Sequence, residues 1–276
     1  MLYMVASVLS CNPGSSHDAK NTNRDSGSVP PAAVSVRPVH WSYHEEGGPA
    51  GWGKLSPVYS LCGSGQSQSP INLLGNARKG TPEWKVDYKT TTLHISHNEQ
   101  VDELINNGHT IQVTTQSGSS ISYHGKVYRL KQFHFHTPSE HTVDGQHAPM
   151  EIHLLHQADD LTLAVIGVFV REGKHNSNFD QLIKYLPNAP GETKTYDSVT
   201  IDISIHVPKN LKAYHYVGSL TTPPCSENVQ WLVLRDPIEM SRSQLAAFST
   251  RLKNNNRPTQ NVNERMVTLD DVPAGN

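Results

Sequence analysis

The 276-residue chain predicts a mainly β protein, a single domain of short strands with a few peripheral helices. Three observations carry that prediction. Apolar and polar residues alternate over many short runs, the period of a half-buried strand. Gly, Asp, Asn and Ser interrupt those runs at turn positions. Helical spacing is confined to two places, and no internal repeat is found.

Residues 1–39 stand apart. Met1 to Ser10 is a short apolar run, followed by Cys11-Asn12-Pro13-Gly14 and a Ser/Asn/Pro-rich stretch. This pattern predicts a signal-like leader and a flexible linker, hence export to the periplasm or secretion. No Lys or Arg precedes the apolar run. Val8-Leu9-Ser10-Cys11 also resembles a lipoprotein processing site, although Leu9 suits it poorly, which makes Cys11 a candidate point of lipid attachment. Strands are expected at 91–96, 109–115, 120–123, 127–136, 150–157, 161–170, 214–219 and 229–234, with turns at Ser117-Gly118 and Asp159-Asp160. Over 178–186, Phe179, Leu182, Ile183 and Leu186 recur at helical spacing. Ser241 with Gln244 forms a capping-box pattern ahead of Leu245, Phe248 and Leu252, the stripe of a second helix. The folded domain is therefore drawn over 40–270, with 271–276 as a tail.

Composition narrows the function. Twenty-three Lys and Arg face 25 Asp and Glu, a net charge of -2, so nothing points to nucleic acid or anionic lipid. No apolar run approaches the ~20 residues of a membrane-spanning helix. The three cysteines, Cys11, Cys62 and Cys225, form no CxxC pair, which argues against a thiolate metal site or a thioredoxin-like motif. Spacing alone leaves Cys62 and Cys225 open between a bridge and two buried thiols.

Histidine is the unusual residue, with 16 in the chain. In Gln132-Phe133-His134-Phe135-His136, strand alternation sends both imidazoles to one face and both phenyl rings to the other. A second strand follows, Glu151-Ile152-His153-Leu154-Leu155-His156. Antiparallel pairing brings His153 across from the first two histidines. Three imidazoles then leave a fourth tetrahedral position for water, the form of a catalytic zinc site. Gln132 and Glu151 share faces with ligands and are placed to hydrogen-bond their outer nitrogens. His156 has the wrong parity and is read as packed or hydrogen-bonded; His141 and His147 fall in the connecting loop, where exposure is expected.

These segments, with Ser139-Glu140-His141-Thr142-Val143-Asp144, resemble the core of the α-carbonic anhydrases. The likeness runs from His40 to about Leu269 and includes His40-Trp41-Ser42-Tyr43, Gln68-Ser69-Pro70-Ile71-Asn72, Asn106-Asn107-Gly108-His109, Gly218-Ser219-Leu220-Thr221-Thr222-Pro223-Pro224 and Asn256-Arg257-Pro258. The resemblance implies a central twisted, largely antiparallel sheet of about ten strands, with Zn2+ held by His134, His136 and His153 at the foot of a cleft. It implies reversible hydration of carbon dioxide to bicarbonate and a proton by a zinc-bound hydroxide. It gives Glu140 and Thr221 the task of orienting that hydroxide, and His109 the proton shuttle. Tyr43, Asn107 and Gln112 would order the intervening waters; Gln112 departs from the asparagine often found there. Leu155, Val165, Leu220, Thr222, Val229 and Trp231 would wall the substrate pocket. Thr137-Pro138 replaces the aromatic residue and longer loop of many animal members and looks more like bacterial ones. The resemblance also implies a Cys62–Cys225 disulfide, as in exported members.

The partners implied are carbon dioxide and bicarbonate, on a monomer or homodimer. A non-catalytic carbonic anhydrase-like binding module is the main alternative, but its usual mark, loss of a zinc histidine, is absent here. A dedicated zinc esterase lacks a general-base carboxylate in the pattern.

Overall fold

A computed structural model describes residues 39–80, 84–98, 110–115, 118–202, 204, 207 and 211–272. All fall within the compact unit Arg37–Asn276. The expected leader with Cys11, the residues Asn107 and His109, and the last four residues of the expected tail lie outside the described residues.

The chain enters through two short helices, α1 (Trp52–Leu55) and α2 (Leu61–Ser64). Then come β1 (Asn72–Leu73), β2 (Arg78–Lys79), β3 (Trp84–Asp87), β4 (Thr90–Asn98) and β5 (Thr110–Thr114). The centre of the chain supplies β6 (Ser120–Tyr123), β7 (Lys126–His136), β8 (Thr142–Val143), β9 (Gln146–His147), β10 (Met150–Gln157) and β11 (Leu163–Glu172). After α3 (Asp180–Lys184) follow β12 (Thr193–Asp202), β13 (Leu211–Ser219), β14 (Glu227–Met240), α4 (Arg242–Ser249) and β15 (Thr268–Val272). β15 runs past the boundary drawn at residue 270.

Ten strands form one path in the order β12-β4-β5-β7-β10-β11-β14-β13-β15-β2, and β6 joins β3 to β7 at the side. Among the described residues only β11–β14 and β15–β2 pair in parallel within this sheet; the other pairs are antiparallel. The expected sheet of about ten mostly antiparallel strands is therefore the observed one.

Alternation along the central strands splits the core in two. Phe133, Phe135, Ile152, Leu154, Ile166 and Val168 sit in a large cluster on one side, covered by Phe179 and Phe248. Leu155, Val165, Tyr216, Trp231 and Val233 form a second cluster on the cleft side. Each such side chain contributes roughly 2 kcal/mol of burial. Helix α4 carries the capping box: Ser241 Oγ accepts from Gln244 N at 3.3 Å, and Gln244 Oε1 accepts from Ser241 N at 3.1 Å.

Two expected elements are corrected. Over 178–186 the chain makes a 3-10 turn (Ser177–Phe179) and only one short helix, α3. The strand expected at 229–234 continues to Met240, through Arg235-Asp236-Pro237. The register explains the difference. Val168 pairs with Leu234 and Val170 with Ile238, so residues 235–237 stand opposite one residue and Pro237 needs no ladder bond.

Candidate metal centre

Register places the histidines. β7 and β10 are antiparallel, with His153 opposite His134 and Glu151 opposite His136. Ring centroids lie 5.0 Å apart for His134 and His136, 5.3 Å for His134 and His153, and 4.5 Å for His136 and His153. One donor atom from each ring lies within 4.8 Å of the others, and among the described residues no fourth His, Cys, Asp or Glu joins that set.

Two of the rings are hydrogen-bonded through the outer nitrogen, and the third faces a carboxylate. His134 Nδ1 donates to Gln132 Oε1 at 2.9 Å. His136 Nδ1 donates to the Asn255 carbonyl at 2.6 Å. His153 Nε2 lies 2.9 Å from Glu151 Oε1. The nitrogens left over, Nε2 of His134 and His136 and Nδ1 of His153, carry the lone pairs. His136 Nε2 is buried with no hydrogen-bond partner. Burial disfavours the charged imidazolium at all three, and mutual repulsion adds to this at His134 and His153. His136 is lowered to about 4. Neutral rings with converging lone pairs are what a divalent ion requires, so the residues present fit Zn2+.

The carboxylate partners differ in environment. Glu151 Oε2 accepts from Glu140 N and His141 N, both at 2.9 Å, and Oε1 accepts from His141 Nδ1 at 2.8 Å. Although burial opposes it, the nearby His141 and His153 hold this carboxyl well below the usual range. Glu140 is raised to about 7, chiefly by desolvation. His153, the 2.8 Å bond from Arg257 N and the Thr221 hydroxyl pull the other way. Glu140 Oε2 sits 3.6 Å from His136 Nε2 and 3.8 Å from His153 Nδ1.

A pocket opens over the histidines. Gln132, His134 and His153 make its polar side, while Leu155, Val165, Leu220 and Trp231 make its apolar side. Thr221, Thr222, Pro223 and Pro224 form its lip. Val229, expected in the wall, is buried in the apolar cluster with Val165 and Trp231. The lip is pinned. Leu220 N donates to Ser226 O at 2.9 Å, and the Cys62–Cys225 disulfide is formed.

Gln112, on β5, pairs with His134 of β7 and donates to Thr114 Oγ1 at 3.3 Å; its Oε1 is buried without a partner. Tyr43 is packed edge-on against Trp41 and Trp52, and burial raises its hydroxyl well above the ordinary phenol range. His156 is buried and bonded to the Tyr88 hydroxyl at 3.0 Å, as its parity implied. His147 is exposed, as expected.

His141 is the clear miss. Expected at the surface, it is 0% exposed. Its Nδ1 meets Glu151 and its Nε2 meets the Tyr216 hydroxyl at 2.6 Å, because a buried carboxylate must find partners. Arg257 was also unassigned. It donates to Gln68 Oε1 at 2.9 Å, Ser69 O at 2.7 Å and Cys62 O at 2.9 Å. Its place in a motif was the only signal.

The model for the eukaryotic-type carbonic anhydrase family matches residues 47–271. A carbonic anhydrase from a Nostoc species is 40% identical over 237 residues, 84% of this chain and 86% of the other. One from Neisseria gonorrhoeae is 37% identical over 238 residues, 86% of this chain and 90% of its own. Among solved structures, the alpha-carbonic anhydrase of Thermovibrio ammonificans in complex with the inhibitor sulfanilamide superposes with a TM-score of 0.77. It has 39% identity, covering 84% of this chain and all of that one. Likeness on this scale runs through the strands that carry the histidines, and the chain belongs to the eukaryotic-type, or alpha, carbonic anhydrase family, whose reaction is the hydration of carbon dioxide.

Proposed function

We propose that this carbonic anhydrase is a zinc enzyme in which His134, His136 and His153 hold the ion and a histidine carries protons to buffer. The observation that carries the reading is the convergence of three neutral imidazole lone pairs in a buried place where His136 Nε2 has no other partner. When bound, zinc supplies Lewis acidity that brings the pKa of a coordinated water to about 7, carbonic anhydrase being the reference case for that value.

The chain's own groups do the rest. The Thr221 hydroxyl would donate a hydrogen bond to Glu140, an interaction that favours the carboxylate form of that residue. With its hydrogen committed, Thr221 Oγ1 offers only lone pairs to the pocket and selects an oxygen that can donate to it. Leu155, Val165, Leu220 and Trp231 give apolar carbon dioxide a surface to rest on beside the histidines. His109 would take up the proton, since an unperturbed imidazole titrates near neutral pH; Tyr43, Asn107 and Gln112 would order the waters between. Export is part of the same reading, supported by a disulfide that persists in oxidising compartments. Mass spectrometry of the mature N-terminus separates a cleaved leader from lipid at Cys11.

Metal analysis and stopped-flow carbon dioxide hydration test the centre together. The wild-type protein is expected to hold one zinc per chain and hydrate carbon dioxide, and His134→Ala to lose both. Wild-type protein that takes up no zinc, or a fully active His134→Ala, would overturn the proposal.

A further inference from the structure

On the cleft face one row runs straight across the sheet: Gln112, His134, His153, Gly167, Val233 and Tyr214, each paired to the next. Gly167 is the member without a side chain, directly beside His153. Its backbone is ordinary strand, so no turn or left-handed conformation calls for glycine there. A β-carbon at this position would lie 2.8 Å from Glu151 Oε1 and 3.4 Å from both Val233 methyls. Such an approach forces something to move.

A flexible surface glutamate would simply swing aside. Glu151 has no such freedom. It is 0% exposed, and its two oxygens receive Glu140 N, His141 N and His141 Nδ1 and face His153 Nε2. Any displacement breaks a bond to a buried charge. Val233, on the other side, is itself fully buried.

We infer that Gly167 is a positioning residue for the metal centre. Its missing side chain is the space into which the Glu151 carboxylate leans, and that carboxylate sets the orientation of His153. The inference rests on the zinc reading above. It explains why the apolar run of β11, residues 163–170 and otherwise Leu, Ala, Val, Ile and Phe, carries a glycine at its middle.

The test is zinc affinity, measured by competition with a chromophoric chelator, together with circular dichroism and thermal unfolding of the metal-free protein. Gly167→Ala is expected to fold and to bind Zn2+ about 10–100-fold more weakly, the usual cost of disturbing a ligand's hydrogen-bond partner. Glu151→Asp withdraws the carboxylate by one methylene. In that background Gly167→Ala should cost little further affinity, because the clash has gone. Equal losses in both backgrounds, or recovery of affinity by adding Val233→Ala, would show that Gly167 serves general packing and would overturn the inference. If Gly167→Ala does not fold, the double variant decides: a folded Gly167→Ala/Glu151→Asp supports the inference and an unfolded one refutes it. Unchanged affinity in Gly167→Ala refutes this inference alone, whereas wild-type protein without zinc refutes the reading beneath it.

Discussion

Reducing the Cys62–Cys225 bond should destabilise the domain heavily while leaving the metal centre intact. The bridge spans 163 residues. In the chain-entropy model, closing a loop of that length stabilises the folded state by about 5 kcal/mol, through restriction of the unfolded chain. For a domain of this size that corresponds to a fall in Tm of roughly 10–20 °C. The native loop has other anchors that survive reduction. Arg257 Nη2 donates to Cys62 O at 2.9 Å, and Gln68 Nε2 donates to Cys225 O at 3.1 Å. Cys225 N donates to Thr222 O at 2.8 Å, across the same lip that carries Thr221. The reduced protein is therefore expected to keep its zinc affinity at 25 °C. The assay is urea unfolding of metal-free protein, oxidised against reduced, because bound zinc would add its own binding energy to the difference. A difference under about 1 kcal/mol would refute the loop-closure reasoning. A tenfold loss of zinc affinity in folded, reduced protein would show that the disulfide itself holds the lip in place.

Other outcomes test single residues. Thr221→Ala should keep zinc and lose roughly 10²-fold in rate, the scale seen when one aligned hydrogen-bonding group is removed from a reacting oxygen; a fully active variant rejects the orienting role. His109→Ala should keep zinc and slow turnover mainly in weak buffer, with recovery as imidazole buffer is added; rates unchanged at low buffer would rule out the shuttle. His156 is lowered to about 3, first by desolvation, from an ordinary 6.5. It stays neutral when folded while the unfolded chain takes up a proton below pH 6.5, so its contribution is present above that value and is lost as pH falls. Between pH 7 and pH 5 it should account for about 2 kcal/mol of lost stability. His156→Gln should flatten that slope in metal-free protein by the same amount, and parallel slopes would contradict the assignment.

Strand parity is a local property, and everything that depended on parity alone was legible in the sequence. One face of β7 had to carry His134 and His136 and the other Phe133 and Phe135, because consecutive residues of an extended chain point to opposite sides. His153 and His156 separated for the same reason, and a capping box four residues long announced α4. Glu140 and Thr221 were visible only through likeness to a family, since alone they are an acid after a Ser and a threonine in a turn. What the tertiary structure decided is how the ligands are held. The partner of His136 is the backbone carbonyl of Asn255, 119 residues away, and every residue has a carbonyl. His141 became a buried partner of Glu151, and Gly167 became the space that carboxylate occupies. A sequence pattern records which way a side chain points along its own strand; which distant group satisfies it once water is excluded depends on packing, and packing leaves no local signature.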